Sequence, residues 1–269
     1  MDMSDVAARG LVMLGCGKMG SAMLAGWLRS GLPPTSVYVI DPYPSDWVKA
    51  QGVHINVDLP DNPAIAVIAV KPQMMAEALP DVGVLGNGST LVISVAAGTP
   101  IATFESVLGD QTPIVRAMPN TPAMVQRGIT VCTSNKRVSQ VQRNMVGEVL
   151  AAIGEVEWID DESLMDAVTG VSGSGPAYVF HLTETLAQAG VSQGLPPRLA
   201  EKLARATVSG AGELMRQSEA TPAELRVNVT SPNGTTQAAL EILMAEDGFP
   251  LLLRKAVEAA TRRSRELAG

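Results

Sequence analysis

Aromatic side chains are scarce in this 269-residue chain: Phe, Trp and Tyr together make up 3%. The core must therefore be aliphatic, and the 46% hydrophobic content with 13 methionines supplies it. Cysteine is nearly absent. Cys16 and Cys132 form no disulfide framework, which suits a reducing, cytoplasmic setting. Histidine is limited to His54 and His181, and two isolated His with two isolated Cys leave no ligand set for a metal. Basic excess is missing too. The net charge of −7 excludes the cationic face that nucleic acid requires. Long apolar runs are lacking: Lys18 interrupts the best stretch, Leu11 to Leu28, so no segment reaches the roughly 18 residues of a membrane span. The acidic start, Met-Asp-Met-Ser-Asp, does not read as a signal peptide. No Walker-type glycine-lysine motif occurs, which excludes that route to nucleotide hydrolysis.

What is present divides near Asp160. Before it, short apolar runs read as strands: Leu11–Leu14, Ser36–Ile40, Ile65–Val70, Leu91–Val95, Ile114–Ala117 and Ile129–Cys132. Helical patterns lie between several of them, at Met19–Ser30, Gln73–Leu79 and Ser139–Ala152. Continuous apolar strands alternating with helices imply a parallel sheet covered on both faces. Beyond Asp160 only helical spacing appears: Leu164–Val171, Ala177–Ala189, Arg198–Gln217, Thr235–Met244 and Leu251–Leu267. Leu182, Leu186 and Ala189 share one stripe. The expected fold class is α/β, with a Rossmann-like domain over residues 1–160 and an all-α domain over residues 161–269.

The first strand runs into Gly15-Cys16-Gly17-Lys18-Met19-Gly20, a G-x-G-x-x-G turn with a strand before and a helix after. Gly15 permits the tight turn, Gly17 lets a pyrophosphate approach the backbone, and Gly20 lets helix and strand pack closely. Asp41 ends the second strand, where an acid bonds the adenosine ribose. Gly15, Gly17, Lys18, Met19, Gly20 and Asp41 are thus candidate cofactor residues. A carboxylate at Asp41 repels a 2′-phosphate and accepts from a free 2′-OH, which favours NADH over NADPH.

In the helical half, Asn228 to Leu240 crowds four hydroxyls (Thr230, Ser231, Thr235, Thr236) around Ser-Pro-Asn-Gly, immediately before a helical pattern. One hydroxyl suffices to cap a helix. Four, beside the free N–H groups of a helix start, make a site for a small carboxylate or phosphate. Ser172 to Tyr178 reads as a helix kink at Gly175-Pro176 whose small residues bring the helix backbone close to the nicotinamide.

Five strings occur in order: Val70-Lys71-Pro72-Gln73, Val95-Ala96-Ala97-Gly98, Arg116 to Pro122 (Arg-Ala-Met-Pro-Asn-Thr-Pro), Ser172 to Tyr178 (Ser-Gly-Ser-Gly-Pro-Ala-Tyr) and Ser231 to Thr236 (Ser-Pro-Asn-Gly-Thr-Thr). Together they resemble the pyrroline-5-carboxylate reductase family, from about residue 10 to beyond residue 260. The resemblance implies NAD(P)H-dependent reduction of 1-pyrroline-5-carboxylate to L-proline, the last step of proline biosynthesis. It also implies a homodimer through the C-terminal helices, often assembled into larger rings. By motif, Ala69, Lys71, Pro72, Ala96, Ala97 and Asn120 border the cofactor, and Ser231, Gly234, Thr235 and Thr236 hold the substrate. Two positions depart from the family: Asn233 stands where Gly is frequent, and Met244 where an acid or amide is common. With that substrate, the Thr236 hydroxyl is the expected partner of the ring nitrogen, and Glu219 is the outside candidate. Two rivals remain. A two-domain hydroxyacid dehydrogenase needs a catalytic Lys early in the helical half, and residues 161–195 contain none. A non-catalytic dinucleotide-binding protein has no use for the hydroxyl-rich turn.

Overall fold

The computed structural model describes residues 3–268. A short helix, α1 (Ser4–Arg9), leads into β1 (Leu11–Leu14), α2 (Lys18–Arg29), β2 (Val37–Ile40), α3 (Asp46–Lys49) and β3 (His54–Ile55). Then come β4 (Ile65–Ile68), α4 (Met75–Ala78), β5 (Leu91–Ser94), α5 (Ile101–Leu108), β6 (Ile114–Met118), β7 (Gly128–Ser134), α6 (Gln140–Ala151) and β8 (Gly154–Trp158). The strands form one sheet in the order β3-β2-β1-β4-β5-β6-β7-β8. Every side chain of β1, β4 and β5 is buried, which is why these strands are continuously apolar.

Each face of the sheet has its own core. Met23, Leu24 and Trp27 of α2 and Val146, Val149 and Leu150 of α6 cover Leu11, Met13, Val67 and Ile93. Phe104 and Leu108 of α5, with Leu79 and Val82, cover Val12, Leu14, Ala66, Ile68 and Val92 on the other. Trp27 is fully buried, and its indole N–H donates to the Val149 carbonyl at 2.9 Å. A buried indole donor needs such an acceptor.

The expected sheet differs in four places. β7 runs antiparallel to β6. Residues 119–127 between them are too few for a crossover helix, so the chain folds straight back. β3 and β8 are additional strands. β8 alternates between half-buried and exposed positions, with Glu155 and Glu157 outward, as an edge strand does. The strand expected over residues 65–70 stops at Ile68, because Ala69 and Val70 leave the sheet to pack on Gly15. The helix expected over residues 73–79 is a single α turn, α4, between 3-10 turns at Pro72–Met74 and Leu79–Leu85. Pro80 and the glycines at 83 and 86 shorten it.

After Trp158 the chain is helical: α7 (Met165–Val168), a π turn over Thr169–Gly173, α8 (Gly175–Ser192), α9 (Pro197–Gln217), α10 (Pro222–Asn228), α11 (Thr235–Leu243) and α12 (Phe249–Ala268). Gly175-Pro176 does not kink a continuous helix. It starts α8, where Pro lacks no needed N–H.

The described residues form two compact units. One runs to Gly173 and takes in the end of the chain from Ala260; the other is Ser174–Ala259. Structural class thus changes after β8, while packing divides at Gly173. Met165, which follows β8 and belongs to the first unit, is fully buried. In the second unit, α8 meets α9 closely at Gly190 and Ala200. Ala200 and Ala204 are its only buried hydrophobic residues, while Phe180 is 67% exposed and Leu182, Leu186 and Ala189 also face outward. The apolar stripe of α8 is left partly exposed. Among the described residues no helix is long and apolar enough to cross a membrane.

Candidate dinucleotide crevice and anion-binding turn

In the first unit the candidate cofactor residues converge on the carboxyl end of the parallel strands, where open α/β sheets bind ligands. Gly15, at φ +83°, makes the β1–α2 turn, and a Cβ there would collide with Val70 and the Ala69 backbone. The glycine thus lets Ala69 lie against the loop. A Cβ on Gly20 would lie 2.9 Å from the Gly15 carbonyl, so helix and strand need glycine at that crossing. A Cβ on Gly17 would meet nothing within 4 Å. Gly17 caps α2 without a side chain, and Lys18 and Met19 follow as its first helical residues. An open backbone with uncapped helix N–H groups fits a pyrophosphate.

Asp41 is held from three sides. Its carboxylate accepts the Cys16 N–H at 2.7 Å and the Tyr43 N–H at 2.8 Å. The Asn56 side chain pairs with its backbone, accepting from the Asp41 N–H at 2.9 Å and donating to its carbonyl at 2.8 Å. Sequence reasoning missed Asn56; its φ of +51° is a turn conformation that Asn tolerates. Cys16 sits in the turn as a neutral thiol. Burial pushes it up to about 11, opposed by the Ser21 hydroxyl.

Three more loops complete this edge. Lys71 is exposed and precedes the 3-10 turn that begins at Pro72. Ala96 is buried, and its N–H reaches the buried Ser94 hydroxyl at 3.3 Å; Ala97 is half-buried beside it. The Asn120 amide oxygen accepts the Ile129 N–H at 3.0 Å, and among the described residues its NH₂ makes no hydrogen bond.

The second unit holds the hydroxyl-rich turn between α10 and α11. Gly234 is the N-cap of α11, and the helix start has no side-chain cap. The Gly234 N–H is committed to the Ser231 carbonyl at 3.0 Å. Gly234 therefore offers no N–H to a ligand. The first helical N–H groups, those of Thr235, Thr236 and Gln237, remain. Asn233 is left-handed at φ +58°, and its N–H donates to the Gln237 amide oxygen at 2.7 Å. That bond is a second feature the sequence reading missed, although Gln lies four residues on. The Thr230 hydroxyl donates to the Arg226 carbonyl at 2.6 Å, closing α10. Glu219 lies exposed between α9 and α10, and among the described residues it makes no hydrogen bond or ion pair. Among the described residues no group of His, Cys, Asp or Glu is arranged to hold a metal ion.

Comparison with known proteins bears on both units. Residues 162–267 match the family model for pyrroline-5-carboxylate reductase dimerisation. Residues 11–98 match that for coenzyme F420-dependent NADP oxidoreductases. A pyrroline-5-carboxylate reductase of Pseudomonas aeruginosa is 39% identical over 264 residues, 96% of either chain. One of Synechocystis is 40% identical over 267 residues, covering 96% of this chain and 97% of its own. Among solved structures, the Coxiella burnetii reductase matches with a TM-score of 0.88 and 33% identity over 97% of this chain and 99% of its own. The Plasmodium falciparum enzyme, with NADP bound, matches at 0.83 and 30% over 98% and 100%. Likeness at this level runs through both units and nearly the whole length of each relative, so the chain belongs to the pyrroline-5-carboxylate reductase family.

Proposed function

We propose that this chain carries out its family's reaction, the NAD(P)H-dependent reduction of 1-pyrroline-5-carboxylate to L-proline, with the crevice holding the nucleotide and the α10–α11 turn holding the substrate. It is an oxidoreductase of proline biosynthesis. The observation that carries the division of labour is the pair of uncapped helix starts. One, at Gly17, opens α2 beside an open glycine loop. The other, at Gly234, opens α11 among hydroxyls.

The nicotinamide, when bound, supplies a hydride to the imine carbon. The protein's own part is orientation, which can remove several kcal/mol of barrier. At the first site the α2 N–H groups face the pyrophosphate, and Gly15 and Gly20 keep the loop closed around it. Asp41 accepts from the ribose with lone pairs that Cys16 and Tyr43 leave unused; its charge favours NADH. Ala69, Lys71, Pro72, Ala96, Ala97 and the Asn120 amide border the rest of the nucleotide.

At the second site the substrate carboxylate sits on the Thr235 and Thr236 N–H groups, with the Ser231 hydroxyl beside them. The positive end of α11 favours that charge by roughly 0.3–1 kcal/mol at an exposed site. The Thr236 hydroxyl bonds the ring nitrogen and helps deliver its proton. Glu219, without a hydrogen bond or ion pair among the described residues, is the second candidate for that proton.

The chain forms homo-oligomers, as its dimerisation region implies. The uncovered apolar residues of α8, Phe180, Leu182 and Leu186, supply the contact, and dimers assemble further into a ring. Two buried free thiols suit a reducing, cytoplasmic compartment. The test of the function is loss of nicotinamide absorbance on adding 1-pyrroline-5-carboxylate, with proline identified as product. Silence with this imine, but turnover of a 2- or 3-hydroxyacid, would overturn it.

A further inference from the structure

Arg116 lies on β6, and its side chain is only 7% exposed. It alternates with Val115 and Ala117, so it shares a face with Ile114 under α5. A buried guanidinium needs a partner. Glu162, which opens the 3-10 turn after β8, provides one: Arg116 Nη1 donates to Glu162 Oε1 at 3.0 Å. The same oxygen accepts the Ile101 N–H at 2.9 Å.

Ile101 is the first residue of α5, and Pro100 before it offers no side-chain cap. The Glu162 carboxylate therefore does that work from a distant part of the chain, facing the positive end of the helix. Its two donors flank different loops of the crevice: Ile101 follows the β5 loop as the first residue of α5, and Arg116 precedes the β6 loop on β6. Ile101 closes the segment that carries Ala96 and Ala97. Arg116 lies four residues before Asn120 and pairs in register with Ser94 of β5. One carboxylate thus ties the β5 loop to the β6 loop. The opposite side of the β5 loop is closed by α12, where a Cβ on Gly98 would lie 3.3 Å from the Leu267 Cβ.

We propose that Glu162 is a positioning residue for nucleotide binding. By bridging Ile101 and Arg116 it holds residues 95–100 and 118–120 at a set separation before the nucleotide arrives. This rests on the reading of the strand edge as a dinucleotide crevice. A preset separation spares the nucleotide the ordering of two loops on binding.

The test uses the full-length protein. NADH affinity is measured by fluorescence titration. Hydrogen exchange is followed at residues 95–103 without nucleotide. Glu162→Ala should weaken NADH at least tenfold, leave KM for the imine within twofold, and speed exchange at Ile101. Glu162→Gln keeps an acceptor oxygen and should recover most of the affinity. Glu162→Ala leaves a buried guanidinium unpaired and risks the fold, so the double variant Arg116→Met with Glu162→Leu is the control. It removes both charges together, which buried pairs tolerate. It should melt near the wild type and still bind NADH about tenfold more weakly. A folded double variant that binds NADH within twofold of wild type overturns the proposal alone. Wild-type protein that binds neither NADH nor NADPH overturns the crevice reading and the proposal with it.

Discussion

The carboxylate of Asp41 accepts the backbone N–H of Cys16 at 2.7 Å. The residue proposed to choose the nucleotide therefore also holds the glycine turn in shape. Its two duties separate by substitution. Asp41→Asn keeps an acceptor for the Cys16 N–H and drops the charge. It should shift the ratio of kcat/KM for NADPH over NADH about tenfold upward, in line with a charged hydrogen bond of about 1.5–3 kcal/mol. Asp41→Ala should weaken both nucleotides. An unchanged ratio in the Asn variant would remove Asp41 from cofactor choice.

Thr236→Ala should cut turnover about tenfold or more and leave NADH affinity within twofold. Thr236→Ser keeps the hydroxyl and should recover most of the rate. Stopped-flow reduction of the imine at saturating NADH reads the step directly. Full turnover in the Ala variant would pass the proton to solvent or to Glu219, which Glu219→Gln then separates.

Asn233 holds a left-handed backbone with its N–H pinned by Gln237. Asn233→Gly should be accepted without loss. Asn233→Val should cost about 1–2 kcal/mol, because a β-branched residue resists that conformation. The cost should appear as a higher KM for the imine, with KM for NADH unmoved. Equal KM values in the Gly and Val variants would mean that the turn does not hold the substrate.

The buried thiols predict alkaline behaviour. Burial pushes Cys16 up to about 11 and Cys132 up to about 12, from an ordinary 9.0. A raised folded-state value means that only the unfolded chain ionises at first. Stability from these thiols is therefore whole below pH 9.0 and falls as pH rises toward 11 and 12. Melting temperature should drop across that window, and Cys132→Ala should flatten the drop. Alkylation of the native protein at neutral pH should be slow, since little thiolate exists there.

The glycine turn, the strand runs and the switch to helices were legible from local pattern, because each follows from short-range sterics and periodicity. The hydroxyl-rich turn was legible for the same reason: Ser-Pro-Asn-Gly followed by an apolar helix can hardly form anything else. The reversal of β7 was less legible. It depends on how few residues separate two strands, and β8 begins with a glycine and carries two outward glutamates that dilute its apolar signal. Asn56, Gln237 and Glu162 were missed because each works through one or two side-chain hydrogen bonds, which leave no periodic trace.

Sequence by itself determined the class of fold and the family, since these rest on residue types at fixed spacing. Tertiary structure alone decided which polar groups are already spent. The Gly234 N–H belongs to Ser231, one Asn120 oxygen belongs to Ile129, and Thr230 closes α10. It also decided that Glu162, 46 residues from Arg116 and 61 from Ile101, joins both. The reason is physical. A hydrogen bond is directional and short, so whether a donor is free depends on atoms that folding brings within about 3 Å.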